Sequence, residues 1–248
     1  MKTNAYVLHL ERAASRRPLA LALAESLPLP TSILPAIDGK LLSASDVSRA
    51  YRPRLHTPQY PFALRDTEIG CFLSHRRAWQ SILEDGCEAG LVVEDDVCIA
   101  SRSFDDVLHA AITSMRAEEY VRFPVRERGK AGEIARTTCG ATLLEPFLPG
   151  LGMQMQLVGR EAARRLLEAS APFDRPVDSF VQMQWIHHAR VLSAHPTVVR
   201  ECGAQHGGST VQQAPPGLAA KISHEVRRPL LRLSIRLAND RWRRRTAA

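Results

Sequence analysis

The spacing of apolar and polar residues changes rhythm several times along this chain, and each change marks a predicted element. Residues 6–10, Tyr-Val-Leu-His-Leu, read as a first strand. Ser15 is placed to cap a helix that runs to about Ser26. A second strand is expected over residues 33–37, ended by Asp38-Gly39, and the proline-rich residues 52–61 predict a loop. From 67 to 83 the period is helical, with Phe72, Trp79 and Leu83 on one stripe and Cys71, His75, Ala78 and Ile82 on its neighbour. Gly86 closes that helix, and residues 91–93 form the next strand. Further on, the pattern predicts a helix over 104–117, a strand over 153–158 and a helix over 160–169 with Ala162, Ala163, Leu166 and Leu167 inward. Asp178 precedes a helical run over 179–188. Residues 118–140 are charged and show no period. Strands alternating with helices predict an α/β fold with a mostly parallel sheet.

The apolar run at 91–93 stops in three consecutive carboxylates, Glu94-Asp95-Asp96. Adjacent like charges at the end of a buried strand raise the cost of ionising one another, and a hard cation such as Mn²⁺ or Mg²⁺ relieves it. Side chains alternate along a strand, so Glu94 and Asp96 are expected on one side and Asp95 on the other. A solvated acidic turn is the competing reading. In parallel sheets ligands gather at the carboxyl ends of strands, where this triplet falls.

At 248 residues and 45% hydrophobic, the chain can bury a full core. No long apolar opening stretch or spanning segment is visible, and the five cysteines form no Cys-x-x-Cys pair. Both features predict a cytoplasmic protein with reduced thiols, and without a disulfide or a zinc site. The net charge of +7 is unevenly placed: residues 1–220 carry equal numbers of basic and acidic side chains, and residues 221–248 hold the whole excess. A neutral body with a basic tail does not fit a nucleic-acid-binding domain. After the Pro215-Pro216-Gly217 break, Leu230, Leu231, Ser234, Leu237, Ala238 and Trp242 share a helical face, flanked by Arg227, Arg228, Arg232, Arg236 and Arg243. A basic amphipathic helix with a tryptophan suits an anionic membrane surface; docking on the body is the alternative. The chain is therefore divided into a body, 1–214, and a basic tail, 215–248.

The segments YVLHLERAASRR, PAIDGK, EIGCFLSHRRAW, GLVVEDDV and RPVDSF, in this order, resemble glycosyltransferase family 25, the lipooligosaccharide and collagen galactosyltransferases. The resemblance covers roughly residues 5–210. It implies a nucleotide-sugar-binding α/β fold of the GT-A type and inverting transfer of a hexose, commonly galactose from UDP-galactose, onto a glycan or glycolipid. It also implies that Glu94-Asp95-Asp96 plays the part of a metal-binding acidic motif, with Asp96 as first metal ligand and Glu94 or Asp95 on the metal or the ribose. The charge thrown onto the leaving diphosphate is what such a cation neutralises. Inversion needs a base for the acceptor hydroxyl. Asp178 is the candidate, with an N-cap as its plainer role and Asp95 and Asp174 as alternatives. His9, Arg12, Arg16 and Arg17 are expected near the nucleotide, Ser74 and His75 in or behind the donor pocket, and His206 as a late metal ligand. A Cys71–His75 dyad has the right helical spacing but reads better as packing. The chain departs from the family pattern at His9, Glu11 and Gln156, where Asn, Asp and an aromatic residue are usual. Two rivals are a hydrolase using two of these carboxylates, disfavoured by their adjacency, and a silent member that binds a sugar nucleotide or a partner.

Overall fold

The computed structural model describes residues 1–126, 132–138, 140–202 and 218–246, and in the last stretch the side chains of 227–245. In chain order the elements are β1 (Thr3–His9), α1 (Arg17–Ser26), β2 (Thr31–Pro35), α2 (Ala44–Ala50), α3 (Asp66–Glu84), β3 (Ala89–Glu94) and β4 (Val97–Ile99). They continue with α4 (Phe104–Ser114), β5 (Glu119–Arg122), β6 (Gly132–Thr138), β7 (Ala141–Pro146), β8 (Met155–Gly159) and α5 (Arg160–Ala169). The chain closes with α6 (Val177–Val181), α7 (Gln184–His187), β9 (Arg190–His195), β10 (Val199–Glu201) and α8 (Leu218–Thr246).

Eight strands form one sheet in the order β2-β1-β3-β8-β5-β9-β7-β6. Only β8 and β7 run against the rest, so the expected α/β class with a mostly parallel sheet holds. Alternation along the strands divides the core between the two faces. Ala5, Val7, Leu91 and Val93 point to the side covered by α1 and α4, together with Phe104 and Leu108. Tyr6, Leu8 and Val92 point to the side covered by α3, α5 and α6. There Phe72 of α3 stacks on Phe173 with ring centroids 3.8 Å apart, and Trp79 is fully buried.

Helix α3 sets one wall of the future cleft. Gly70 makes this possible: a Cβ added there would lie 2.5 Å from Gly39 N, so only a glycine lets the helix meet the 37–39 loop. One turn on, the Ser74 hydroxyl donates to Gly70 O at 2.7 Å and accepts from Ile37 N at 2.8 Å. The loop after β2 is thereby tied to the helix.

Several expectations need correction. Ser15 is not a cap; a 3₁₀ turn over Ala14–Arg16 leads into α1, whose first turn carries Pro18. Proline's fixed φ and missing N–H suit that position. The run over 179–188 is two short helices, α6 and α7, separated at Gln182–Met183. Residues 118–140 contain β5 and β6, hidden because β5 carries a buried charge. Glu119 is fully enclosed, accepts from Arg116 N at 2.8 Å and is paired with Arg136 and with Arg190. The reduced-thiol expectation also fails: Cys98 and Cys202 are joined in a disulfide with Cα atoms 5.9 Å apart. The antiparallel β4–β10 ladder pairs Cys98 with Arg200, bringing Cys202 alongside in space despite a sequence separation of 104.

Helix α8 docks on the body. Ile235 and Asn239 are fully buried. Asn239 accepts from Gln184 N at 3.2 Å and donates to Gln182 O at 2.8 Å, so it holds the α6–α7 break open. Trp242 faces the His188 ring at 6.0 Å. The expected single apolar face is divided, because Leu230 and Leu231 lie about 100° apart on a helix. Leu231, Ala238 and Trp242 are partly buried, while Leu230, Leu233 and Leu237 are 58%, 53% and 46% exposed. Asn239→Ala leaves a buried N–H and a buried carbonyl unpaired and should cost about 1–3 kcal/mol, read as a lower midpoint in thermal unfolding; an unchanged midpoint contradicts the docking.

Candidate active site

A cleft opens at the carboxyl ends of β1, β2 and β3, against α3, and is lined by Arg12, Asp38, Cys71, His75 and all three acids of the triplet. It encloses about 660 Å³ counting the solvent at its mouth. Glu94 closes β3, and Asp95 and Asp96 form the turn into β4.

The triplet divides as strand alternation requires. Asp95 is buried, with Oδ2 2.7 Å from His9 Nδ1 and Oδ1 2.7 Å from Arg16 Nη1. Burial pushes its carboxyl up, and the His9 bond and Arg16 charge pull it back. With the Arg16 guanidinium on one oxygen lowering its basicity and His9 on the other, Asp95 is the poorer proton acceptor and ligand of the three. His9 is 1% exposed and does not line the cleft, so its role is to hold Asp95 instead of touching a nucleotide. Arg16 is likewise buried in that pair, at 5% exposure. Arg17 is exposed on α1.

Glu94 and Asp96 have no lysine or arginine partner among the described residues. Glu94 Oε1 lies 3.1 Å from His75 Nε2. Asp96 Oδ1 is buried without a hydrogen-bond partner among the described residues, and its carboxyl is pushed up to about 7 by burial and then by the charges of Glu94 and Asp95, against the pull of Arg16. An orphaned carboxylate oxygen beside a second carboxylate fits an oxygen-seeking divalent cation, so Asp96 and Glu94 are the residues to hold one. Cys71, His75 and Glu94 also offer ligand atoms within 4.8 Å of one another. That softer set is the weaker candidate, because burial and the nearby carboxylates push the Cys71 thiol well up and keep it protonated. His206 lies outside the described residues.

Other residues form the surroundings. His75 is fully buried, and its Nδ1 is 3.3 Å from Gln156 Nε2, so the unusual Gln156 orients His75 towards Glu94. Ser74 lines the cleft while tying α3 to the 37–39 loop. Arg12 pairs with Asp38, Nε to Oδ2, at 2.5 Å. Asp38 was legible in the sequence only as the end of a strand; the basic residue that faces it gives it a place in the site.

Asp178 lies in the first turn of α6 behind Pro176, which takes the cap position. Its Oδ2 accepts from Gly152 N at 3.1 Å and its Oδ1 from Ser179 N at 2.6 Å. Burial raises its carboxyl against these bonds, which makes it a stronger base. Its charge acts on the Cys71 thiol, but it does not itself line the cleft that holds Glu94 and Asp96. Asp174 is fully buried against Arg175 at 2.7 Å and drops out as a base.

This chain is similar to known proteins. A model of glycosyltransferase family 25 (LPS biosynthesis protein) matches residues 2–133. Procollagen galactosyltransferase 1 of Danio rerio is 34% identical over 95 residues, 37% of this chain and 16% of that protein. A human relative, inactive glycosyltransferase 25 family member 3, is 29% identical over 193 residues, 74% of this chain and 32% of that protein. The chain thus spans a third or less of these relatives' lengths. Among solved structures, a mannose-1-phosphate geranyltransferase from Thermus thermophilus aligns at TM-score 0.38 and 13% identity, over 78% of this chain and 73% of that one. A Drosophila galactosyltransferase 7 variant with manganese, UDP-Gal and xylobiose aligns at 0.37 and 10%, over 89% and 79%. Both scores are too low to carry an argument.

The strained carboxylate gives a signed prediction. A folded-state value near 7 against 3.8 unfolded means that the native protein binds the extra proton, so this group's contribution to stability falls as pH rises from about 4 to 7. Asp96→Asn should therefore stabilise the metal-free protein at pH 8 by about 1–3 kcal/mol and change it little at pH 4. Equal effects at both pH values, measured by denaturant unfolding in EDTA, overturn this.

Proposed function

Because the chain belongs to glycosyltransferase family 25, we propose that it transfers a hexose, galactose from UDP-galactose in the first instance, with inversion, onto a lipooligosaccharide or related glycan. The observation that carries this is the pair Glu94 and Asp96: two carboxylates at a strand end, one with a buried orphaned oxygen, in a cleft shared with the Arg12–Asp38 pair. A divalent cation, manganese or magnesium, held by Glu94 and Asp96 supplies positive charge for the departing diphosphate.

The chain's own residues account for the rest. Arg16 and His9 neutralise Asp95 and thereby aim the other two acids into the cleft. Gln156 and His75 fix Glu94 from behind. Asp178 keeps one N–H bond on each oxygen, which leaves each a lone pair for an acceptor hydroxyl, and its raised basicity suits it to take that proton. A second reading, a silent member that binds a sugar nucleotide, is favoured by the human relative named as inactive. The intact Glu94 and Asp96 weigh against it.

Purified protein with UDP-galactose and acceptor glycan should release UDP in Mn²⁺, lose turnover in EDTA and regain it on adding metal. Asp178→Asn should lower kcat about 10²–10⁴-fold and leave UDP binding intact. Turnover that persists in EDTA refutes the metal role; a D178N enzyme at full rate refutes the base. A parallel screen of UDP-glucose and the N-acetyl sugars fixes the donor.

We also place the protein at the cytoplasmic face of a membrane, held by α8. Support comes from the outward stripe of Leu230, Leu233 and Leu237, flanked by Arg227 and Arg241 on the same 29-residue helix. No described helix is long and apolar enough to cross a bilayer. The Cys98–Cys202 disulfide is the observation that weighs against a reducing compartment. Replacing the three leucines with glutamine should release the protein from anionic vesicles in a flotation assay without lowering its unfolding midpoint; unchanged flotation rules out the stripe.

A further inference from the structure

A second cleft opens on the same edge of the sheet, at the carboxyl ends of β5 and β9, and it is basic. Arg122 closes β5, Arg126 follows it, and Arg232 and Arg236 reach in from α8. Glu201, which pairs with Arg126 at 3.6 Å, is the acid that lines it among the described residues. Three contacts give the arginines fixed places. Arg122 is 7% exposed, and its Nη2 donates to Leu151 O at 2.9 Å and Gly152 O at 2.7 Å. Gly150 keeps a side chain off that guanidinium, because a Cβ there would lie 2.7 Å from Nη1. Arg236 rests over the Phe147 ring at 5.5 Å, and Arg243 Nη2 donates to Pro146 O at 2.8 Å, which pins α8 along the rim.

The two clefts are joined by one stretch of backbone. Gly152, a wall of the second, donates to Asp178. Gln154 joins them as well: its carbonyl accepts from Glu94 N at 2.9 Å, and its side chain bonds Glu201 at 2.9 Å. A sugar lodged over the arginines lies beside the stretch of backbone that holds both Asp178 and Glu94. We propose that this second cleft is the acceptor subsite and that it selects a saccharide carrying an oxyanion, a phosphate or a carboxylate. Guanidinium forks match that geometry, and four arginines against one glutamate repel a cationic acceptor and leave a neutral one without its main partners. The inference rests on the transferase reading for the word acceptor, but the binding preference stands by itself. Under it, α8 has two duties: arginines for the substrate and leucines for the surface.

The test is direct binding to the full chain, which needs no turnover. Glucose 6-phosphate, glucuronate, glucose and inorganic phosphate are titrated separately by calorimetry or ligand-observed NMR, alongside UDP-galactose with Mn²⁺. Both acidic sugars should bind at least about tenfold tighter than glucose. In the double variant Arg232→Gln/Arg236→Gln, at exposed positions that do not threaten the fold, that advantage should disappear while donor affinity stays within about twofold. Equal binding of glucose and glucose 6-phosphate, no saturable binding of either acidic sugar, or an unchanged double variant overturns the proposal. Inorganic phosphate binding as tightly as the sugar phosphate reduces the site to a plain anion site and overturns it too. A double variant that loses anionic vesicles and keeps sugar phosphate assigns these arginines to lipid headgroups, again against the proposal. Failure of UDP release together with intact selectivity instead counts against the transferase reading alone.

Discussion

A single buried carboxylate decides how the cleft is arranged. Asp95 is held between His9 at the end of β1 and Arg16 just before α1, at 2.7 Å from each. Two stretches that are remote in sequence converge on it: the end of β3, and the end of β1 with the turn that follows it into the first helix. Enclosing such charges costs several kcal/mol in desolvation, and the attraction between them offsets that only with good geometry. The network is therefore a poor source of net stability and a strong constraint on direction. Once Asp95 is turned inward and neutralised, strand alternation leaves Glu94 and Asp96 facing the cleft with no cation of their own. The pressure on Asp96 follows from that arrangement.

The sheet converts this constraint into a working edge. The strands β1, β2 and β3 run parallel and deliver their ends to the first cleft, while β5 and β9, also parallel to each other, deliver theirs to the second. Between them β8 runs in the opposite direction, so the segment leading into it crosses the edge where the others finish. Gly152 and Gln154 lie in that segment, and through them Asp178 and Glu94 are bonded to one stretch of backbone. An all-parallel sheet would place a departing loop there, with no incoming backbone to join the two halves.

Much of this was legible because local and global signals agreed. The helical stripe of Phe72, Trp79 and Leu83, its neighbour with His75, Ala78 and Ile82, and the apolar run ahead of Glu94 fold as their periods require. The site residues on the first half of the chain were readable as candidates, but several of their roles were not. His9 and Arg16 look like ligand-binding residues in sequence, and only the three-dimensional closeness of β1 and β3 turns them towards Asp95. Buried charges misled in the opposite direction: Glu119, enclosed by arginines from β6 and β9, makes β5 read as a charged loop. The Cys98–Cys202 pair was invisible for a similar reason, since a separation of 104 positions divides cysteines that the β4–β10 ladder brings together. Pairings of that kind have no local signature.

Helix α8 is where composition alone was least informative. Nine basic residues in a tail suggest one electrostatic role, yet the docked helix sorts its positions around the axis. Ile235 and Asn239 face inward and define the rotation; Arg232 and Arg236 then fall beside the second cleft, and Leu230, Leu233 and Leu237 fall on the far side. Fixing Asn239 between Gln182 and Gln184 fixes all three faces at once, because a rigid helix cannot turn one of them alone. On the proposed reading, the element that touches the lipid surface is also a wall of the acceptor cleft.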